Sequence, residues 1–237
     1  MNYPDQFRFE FYGNLRSDLA RQDSSQNSPS SSDLYLMTNF LEQIERIKQR
    51  FRSNGFRGLI DEKQALGARV KSQALQLVIE KIEKILHGNY QHDDQGEKIY
   101  YDVNSYVYLN NAPSGQQEVI RILQDAFLII LDNESAFRVI EEPEAHLYPL
   151  AQKQLMEVLA LVLNSTDSQF IITTHSPYIL SIVNNLLFAT RVAKMNPLAT
   201  DEVESVIPKL SWIDPQKRMS TSYEMVILNL SSICLPG

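Results

Sequence analysis

Two short apolar runs, residues 137–140 and 170–174, separated by one helix-length segment, constrain this chain more than any other feature. Phe, Val, Ile and Thr suit a pleated, half-buried backbone, so each run reads as a strand. Pro149 stands at the first position of a helix covering residues 150–163, and residues 164–168 form a polar turn leading out of it. Strand, helix and strand in that order join as a parallel, right-handed βαβ unit. Glu141 and Glu142, directly after the first run, and His175, directly after the second, therefore fall on one carboxyl edge of the sheet, where open α/β folds bind ligands.

Adjacent carboxylates raise each other's pKa, so keeping both ionised is costly unless a cation or a polarised water uses their charge. Mg²⁺ meets that need: one carboxylate holds the ion, directly or through water, and the other orients or deprotonates a nucleophilic water. Pro143 ends the strand immediately afterwards. A rival reading takes Glu142, Glu144, His146 and His175 as ligands of a metal-dependent hydrolase or nuclease, because alternating Glu-x-Glu-x-His can present ligands on one side of an extended segment. Pro143 and the following helix work against that geometry. His175 precedes Ser176 and Pro177, a cap and first residue for another helix, and beside two acids its imidazole reads as a substrate contact.

At 237 residues, 43% hydrophobic and 22% charged, the chain can bury a sizeable core as one large domain or a domain with an appendage. A net charge of -7 excludes a surface coated in positive charge, though not a local basic patch. The longest apolar run, residues 126–131, is far short of the about 18 residues that span a bilayer. The first residues carry no basic-then-apolar signal pattern. Cys234 is the single cysteine, so a reducing, cytoplasmic setting without membrane contact is expected.

Earlier in the chain, Phe7, Phe9 and Phe11 alternate with Arg8, Glu10 and Tyr12 as in a short strand, and the Ser-rich residues 24–33 read as a linker. From Leu34, helical spacing places Met37, Leu41, Ile44, Ile47 and Phe51 on one face. After Gly55 and Gly58 it continues through Leu66, Val70, Leu77, Ile82 and Ile85, predicting a hairpin of two antiparallel helices. Arg46, Lys48, Arg50, Arg52 and Arg57 make the first helix basic. They read as a solvated face partly neutralised by Glu42 and Glu45, or as a DNA contact. Residues 88–98 read as a turn, and residues 99–103 and 105–109 as short strands. Ser114 followed by Gln117 fits a capping box opening a helix with Val119, Ile120, Leu123, Phe127 and Ile130 on its apolar face. Its amino end is a ready anion site. Residues 187–192, 203–207 and 225–230 are expected to extend the sheet.

Three stretches in one order carry a family resemblance. Residues 112–117, Ala-Pro-Ser-Gly-Gln-Gln, look like the signature loop of ABC-type ATPases. Residues 137–149, with Glu-Glu-Pro-Glu-Ala-His-Leu, look like a Walker B strand and D-loop, and residues 171–177 look like a switch-histidine strand. Together they are similar to the bacterial ABC-like ATPases of the overcoming-lysogenization-defect and related phage-defence group, and more distantly to chromosome-maintenance and DNA-repair ATPases. The resemblance implies an α/β fold, a partial P-loop NTPase sheet with a parallel βαβ core plus the helical hairpin. It implies ATP and Mg²⁺ as ligands. Ser114 and Gly115, with Gln116 and Gln117 beside them, would meet the γ-phosphate of a nucleotide held by a facing protomer. Glu141 would hold Mg²⁺, Glu142 would be the base that activates water, and His175 would sense the γ-phosphate. Where this family usually has Asp at the first acid, Glu141 stands, as is common in the subgroup. Gln116 stands where many relatives have Gly.

A phosphate-cradling P-loop needs Gly-x-x-x-x-Gly-Lys-Ser/Thr, and none of the eight glycines is followed by Lys. The chain therefore resembles the carboxyl-terminal portion of such an ATPase: residues 1–33 a strand and linker, 34–98 a helical subdomain, 99–237 the lobe with signature, Walker B and switch histidine. Activity is expected only with a P-loop from a partner or from upstream residues, as a homodimer or with a P-loop-bearing chain. The alternative is a catalytically silent interaction module that keeps the fold.

Overall fold

The computed structural model describes residues 9–12, 31–52, 54–214 and 225–229. In chain order these form β1 (Phe9–Tyr12), α1 (Ser31–Phe51), α2 (Gly55–Ala65), α3 (Ser72–Leu86), β2 (Asn89–Asp93), β3 (Gly96–Tyr100), β4 (Tyr106–Tyr108), α4 (Ser114–Asp132), β5 (Phe137–Glu141), α5 (Pro149–Ser165), β6 (Gln169–Thr174), α6 (Pro177–Met195), α7 (Thr200–Val206) and β7 (Met225–Asn229).

The βαβ unit is present. β5 and β6 are parallel neighbours, with Val139 opposite Ile171 and Glu141 opposite Thr173. β1 adds beside β5 and β7 beside β6, giving a four-stranded parallel sheet in the order β1-β5-β6-β7. α5, the crossover, carries Leu155, Met156, Val158, Leu159, Ala160, Leu161 and Val162, all fully buried. A helix apolar nearly all round belongs inside a core.

Several local expectations change. The predicted hairpin is three helices, because Gly67, at φ +77°, ends α2 and residues 68–71 separate it from α3. Residues 24–30 of the predicted linker lie outside the described residues, and α1 already begins at Ser31. Residues 88–98, read as a turn, contain β2 and the start of β3, which pair with β4 as an antiparallel sheet running through the expected boundary at residue 98. β2 is polar except for the buried Tyr90, so cross-strand pairing and one aromatic anchor hold it rather than an apolar face. Residues 187–192 and 203–206 are helical, within α6 and α7. Only residues 225–229 extend the sheet. Ile179, Leu186 and Ala189 are buried at helical spacing, and that period outweighs the local β-branched content.

Aromatic rings lock the amino-terminal helices to the rest. Phe51 of α1, Phe56 of α2, Tyr90 of β2 and Phe127 of α4 form one cluster, with ring centroids 4.7 Å apart for Phe51 and Phe56 and 5.0 Å for Phe56 and Phe127. Edge-on pairs of this kind add about 0.5–1.5 kcal/mol each beyond burial. Lys81 of α3 pairs with Glu157 of α5 inside the core. Burial lowers the amine's pKa against the opposing pull of that carboxylate.

Beside the aromatic cluster, Arg121 of α4 holds both oxygens of Glu97 on β3 at 2.6 Å, and the Tyr90 hydroxyl donates to Glu97 at 2.6 Å. Burial opposes ionisation of Glu97, but the guanidinium and the phenol outweigh it and hold the carboxyl below its ordinary range. A depressed carboxylate pKa contributes stability that is present above the unfolded value and lost as pH falls through the folded one. The stability gap between the wild-type chain and Glu97→Gln should therefore be widest near neutrality and close on acidification below the normal carboxylate range. Urea midpoints measured across pH test this, and a pH-independent gap would contradict it.

Candidate active site

β5 delivers its acids through alternation. Arg138 and Ile140 are buried, Glu141 emerges exposed, and Glu142 leaves the strand with φ +44°. The left-handed region costs a non-glycine residue about 1–2 kcal/mol. Here the surroundings impose it. The Glu142 N–H still donates to the Thr173 carbonyl at 2.9 Å, extending the ladder by one residue, and the Ala145 N–H donates to the Glu142 carbonyl at 2.9 Å, closing a turn around Pro143. At the end of β6, His175 Nε2 lies 3.2 Å from Glu142 Oε1. The two acids and the imidazole thus share the carboxyl edge of β5 and β6. Both partners of the pair are around half exposed, so its contribution to stability is small.

The rival metal set does not converge. Glu144 turns inward, 8% exposed, and accepts a hydrogen bond from the Thr174 hydroxyl, while His146 Nδ1 sits 3.2 Å from Glu118 Oε2 on α4. Among the described residues no group of three or more His, Cys, Asp or Glu is arranged to hold a metal. Mg²⁺, which keeps several waters and needs only one or two protein carboxylates, still fits Glu141 as an exposed oxygen donor.

The predicted anion site lies at the start of α4. The capping box does not form: Ser114 is the helix's first residue, and no side chain caps the helix start. Gln117 Nε2 instead donates back to the carbonyls of Ala112 at 2.6 Å and Asn110 at 3.2 Å. Gln116 Nε2 reaches the Leu86 carbonyl at the end of α3, 2.8 Å away. Gly115 is buried against the turn of residues 142–147. A Cβ there would overlap the His146 carbonyl oxygen and lie 3.2 Å from Leu147 Cδ2. Of residues 114–117, only Ser114 is exposed.

Gly115 therefore serves as the point where α4 meets the acid-bearing turn. Gly115→Ala forces helix or turn to shift and should cost about 1–3 kcal/mol. Thermal unfolding reads the loss, and a melting point unchanged within a degree would show the contact to be slack.

Two further ties fix α4. Arg138 on β5 meets Asp125 on α4 through paired hydrogen bonds of 2.8 and 3.1 Å, both side chains being buried, and Arg121 holds Glu97. Between α1, the end of β4 and α4 lies a cleft of about 630 Å³. Phe40, Ile44, Leu109 and Ile122 line its apolar part, and Glu141 and Glu142 stand at its border. The basic face of α1 is answered by acids: Arg46 by Glu42, Lys48 by Glu97 and Arg50 by Asp132, while Arg52, just past the helix, pairs with Asp94 and Arg57 of α2 with Glu83. Glu45 accepts from Gln49 instead. Among the described residues no helix is long and apolar enough to cross a membrane.

A family model described as AAA ATPase domain matches residues 11–180. The chain belongs to the AAA ATPase domain family. The matched span of this AAA ATPase domain runs from β1 into α6 and takes in the α4 tip, both acids and His175. Over 91 residues the chain is 32% identical to "Protein ea59" of Escherichia phage lambda. That stretch is 38% of this chain and 17% of the phage protein, so the chain spans well under two thirds of that relative's length.

Proposed function

We propose that this chain is the signature and Walker B portion of an ABC-type ATPase of the overcoming-lysogenization-defect-like, phage-defence group, coupling ATP binding and hydrolysis to the pairing of protomers. The observation that carries the reading is the meeting of Glu142 and His175 at 3.2 Å on the carboxyl edge of a parallel sheet. Membership of an ATPase domain family agrees with it, and so does the partial likeness to a phage-encoded protein.

In the proposed reaction Glu142 accepts a proton from the attacking water, and His175, held beside it, donates to the γ-phosphate. The exposed Ser114 at the α4 tip adds a hydroxyl and helix N–H groups toward phosphate oxygens bound by a facing protomer. Mg²⁺ held by Glu141 would supply neutralisation of the charge developing on the transferred phosphoryl group. Glycines are nowhere followed by Lys, so the phosphate cradle comes from residues outside these 237, as further sequence or as a partner chain. The same absence favours a second reading, a silent ATPase-fold interaction module. DNA is a proposed substrate or partner of the assembled machine.

Nucleotide binding by the purified chain, alone and mixed with a P-loop-bearing partner, separates these readings. Alone, it should bind ATP with a dissociation constant weaker than about 100 μM, for want of a cradle. Mixed, it should hydrolyse ATP. Micromolar affinity in the isolated chain would overturn the trans-cradle reading, and failure of every P-loop partner to restore turnover would favour the silent module.

A further inference from the structure

The turn that carries Glu142 is fastened to the end of β6 by one buried acid. Glu144 Oε1 takes two donors, the Thr174 hydroxyl and the Ser176 backbone N–H at 3.3 Å, while that N–H also reaches Thr174 Oγ1 at 2.9 Å. The ring of bonds closes through α5: Ser176 Oγ donates to Gln152 Oε1 at 3.0 Å, and Gln152 Nε2 donates to the Leu147 carbonyl at 3.0 Å, back in the same turn. Thr174 is fully buried, and Glu144 and Gln152 are each 8% exposed. Glu144 Oε2 has no hydrogen-bond partner, and among the described residues no cation pairs with this carboxyl. A buried acid without a counter-charge is costly, and a chain selected for stability alone would replace it.

We propose that Glu144 is a positioning residue: by tying the turn after β5 to the turn after β6, it holds Glu142 and His175 in register. The inference rests on the ATPase reading above for its consequence, though not for its geometry. Glu144 lies two residues after Glu142, and its two donors, Thr174 and Ser176, flank His175 on either side. Any slip between the turns is therefore a slip between base and imidazole. One oxygen does the holding and needs only to accept. A Gln amide carbonyl can replace it, with the NH₂ falling where Oε2 has no partner.

The test compares Glu144→Ala, Glu144→Gln and Thr174→Val in the full chain. Thr174→Val keeps volume and removes one donor, so it stands even if the Ala variant fails to fold. Two readouts need no nucleotide: amide-exchange protection of Ser176, and the nuclear Overhauser contact between the His175 ring and the Glu142 side chain. Protection should fall about tenfold in the Ala and Val variants, the loss of one modest hydrogen bond, and the ring contact should vanish. Glu144→Gln should keep both. In the assembly with a P-loop partner, kcat should fall about tenfold to a hundredfold in the Ala and Val variants with KM for ATP nearly unchanged, as misplacement of reacting groups requires. Persistence of the ring contact in the Ala and Val variants overturns the proposal, as does a Gln variant that behaves like Ala. Should the wild-type assembly show no turnover, the ATPase reading fails, and the ring contact alone decides the role of Glu144.

Discussion

Replacing Glu142 by Gln should lower ATP turnover by the assembly of this chain with a P-loop partner about a thousandfold, the middle of the range for loss of a general base. Gln fills the same volume and can still hydrogen-bond the His175 ring, so the edge keeps its shape and the ATP-bound pair should persist. Accumulation of that pair in light scattering, together with the absence of phosphate release, is the expected signature. Turnover within tenfold of wild type would remove Glu142 from the role of base, leaving Glu141 as the remaining acid at the edge. His175→Ala provides a graded comparison, since under the proposed roles losing the phosphate contact reduces turnover less than losing the proton acceptor.

The second large effect is structural. Asp125 and Arg138 are buried on facing elements, helix α4 and the acid-bearing strand β5, and are joined by two hydrogen bonds. Asp125→Ala takes both carboxylate hydrogen bonds from a buried guanidinium, a loss of about 3–5 kcal/mol. In a domain of this size each kcal/mol moves the melting temperature by about 2–4 °C. The paired change Asp125→Leu with Arg138→Met removes both charges and should recover most of the loss, because the desolvation cost of the pair disappears with it. Calorimetry of the three variants decides the matter. A single replacement costing under about 1 kcal/mol would mean that other partners or water satisfy the guanidinium, and that this pair does not lock the helix to the strand.

The parallel core was legible in the sequence because its strands are short apolar runs that end in charge. β5 and β6 appear with Glu141, Glu142 and His175 at one edge, as the order of residues 137–175 requires. β2 was not legible, since its pairing is a matter of backbone hydrogen bonds and a single buried tyrosine, neither of which leaves a periodic trace. Helix α6 was misread in part because residues 187–192 are rich in strand-favouring types, although the period of Ile179, Leu186 and Ala189 belongs to a helix. At the site, the residues of the signature-like loop stood out by type, while their engagements did not. Gln116 and Gln117 bond to backbone carbonyls whose positions follow only from the folded chain. Arg138 left a signal that could have been used, a charge in the middle of a buried strand, which implies a partner such as Asp125. Glu144 left none, as the mixed segment of residues 141–148 carries no periodic pattern to mark one acid as buried.

The backbone at Glu142 sits in a conformation that glycine would adopt without strain. A laboratory screen for heat tolerance would be drawn to Glu142→Gly, which relaxes that tension, and the survivor would be a sturdier protein without its proposed proton acceptor. Robustness and chemistry pull in opposite directions at a single position. Designers seeking a hardier scaffold should look for gains elsewhere in the chain and leave this bend as it is.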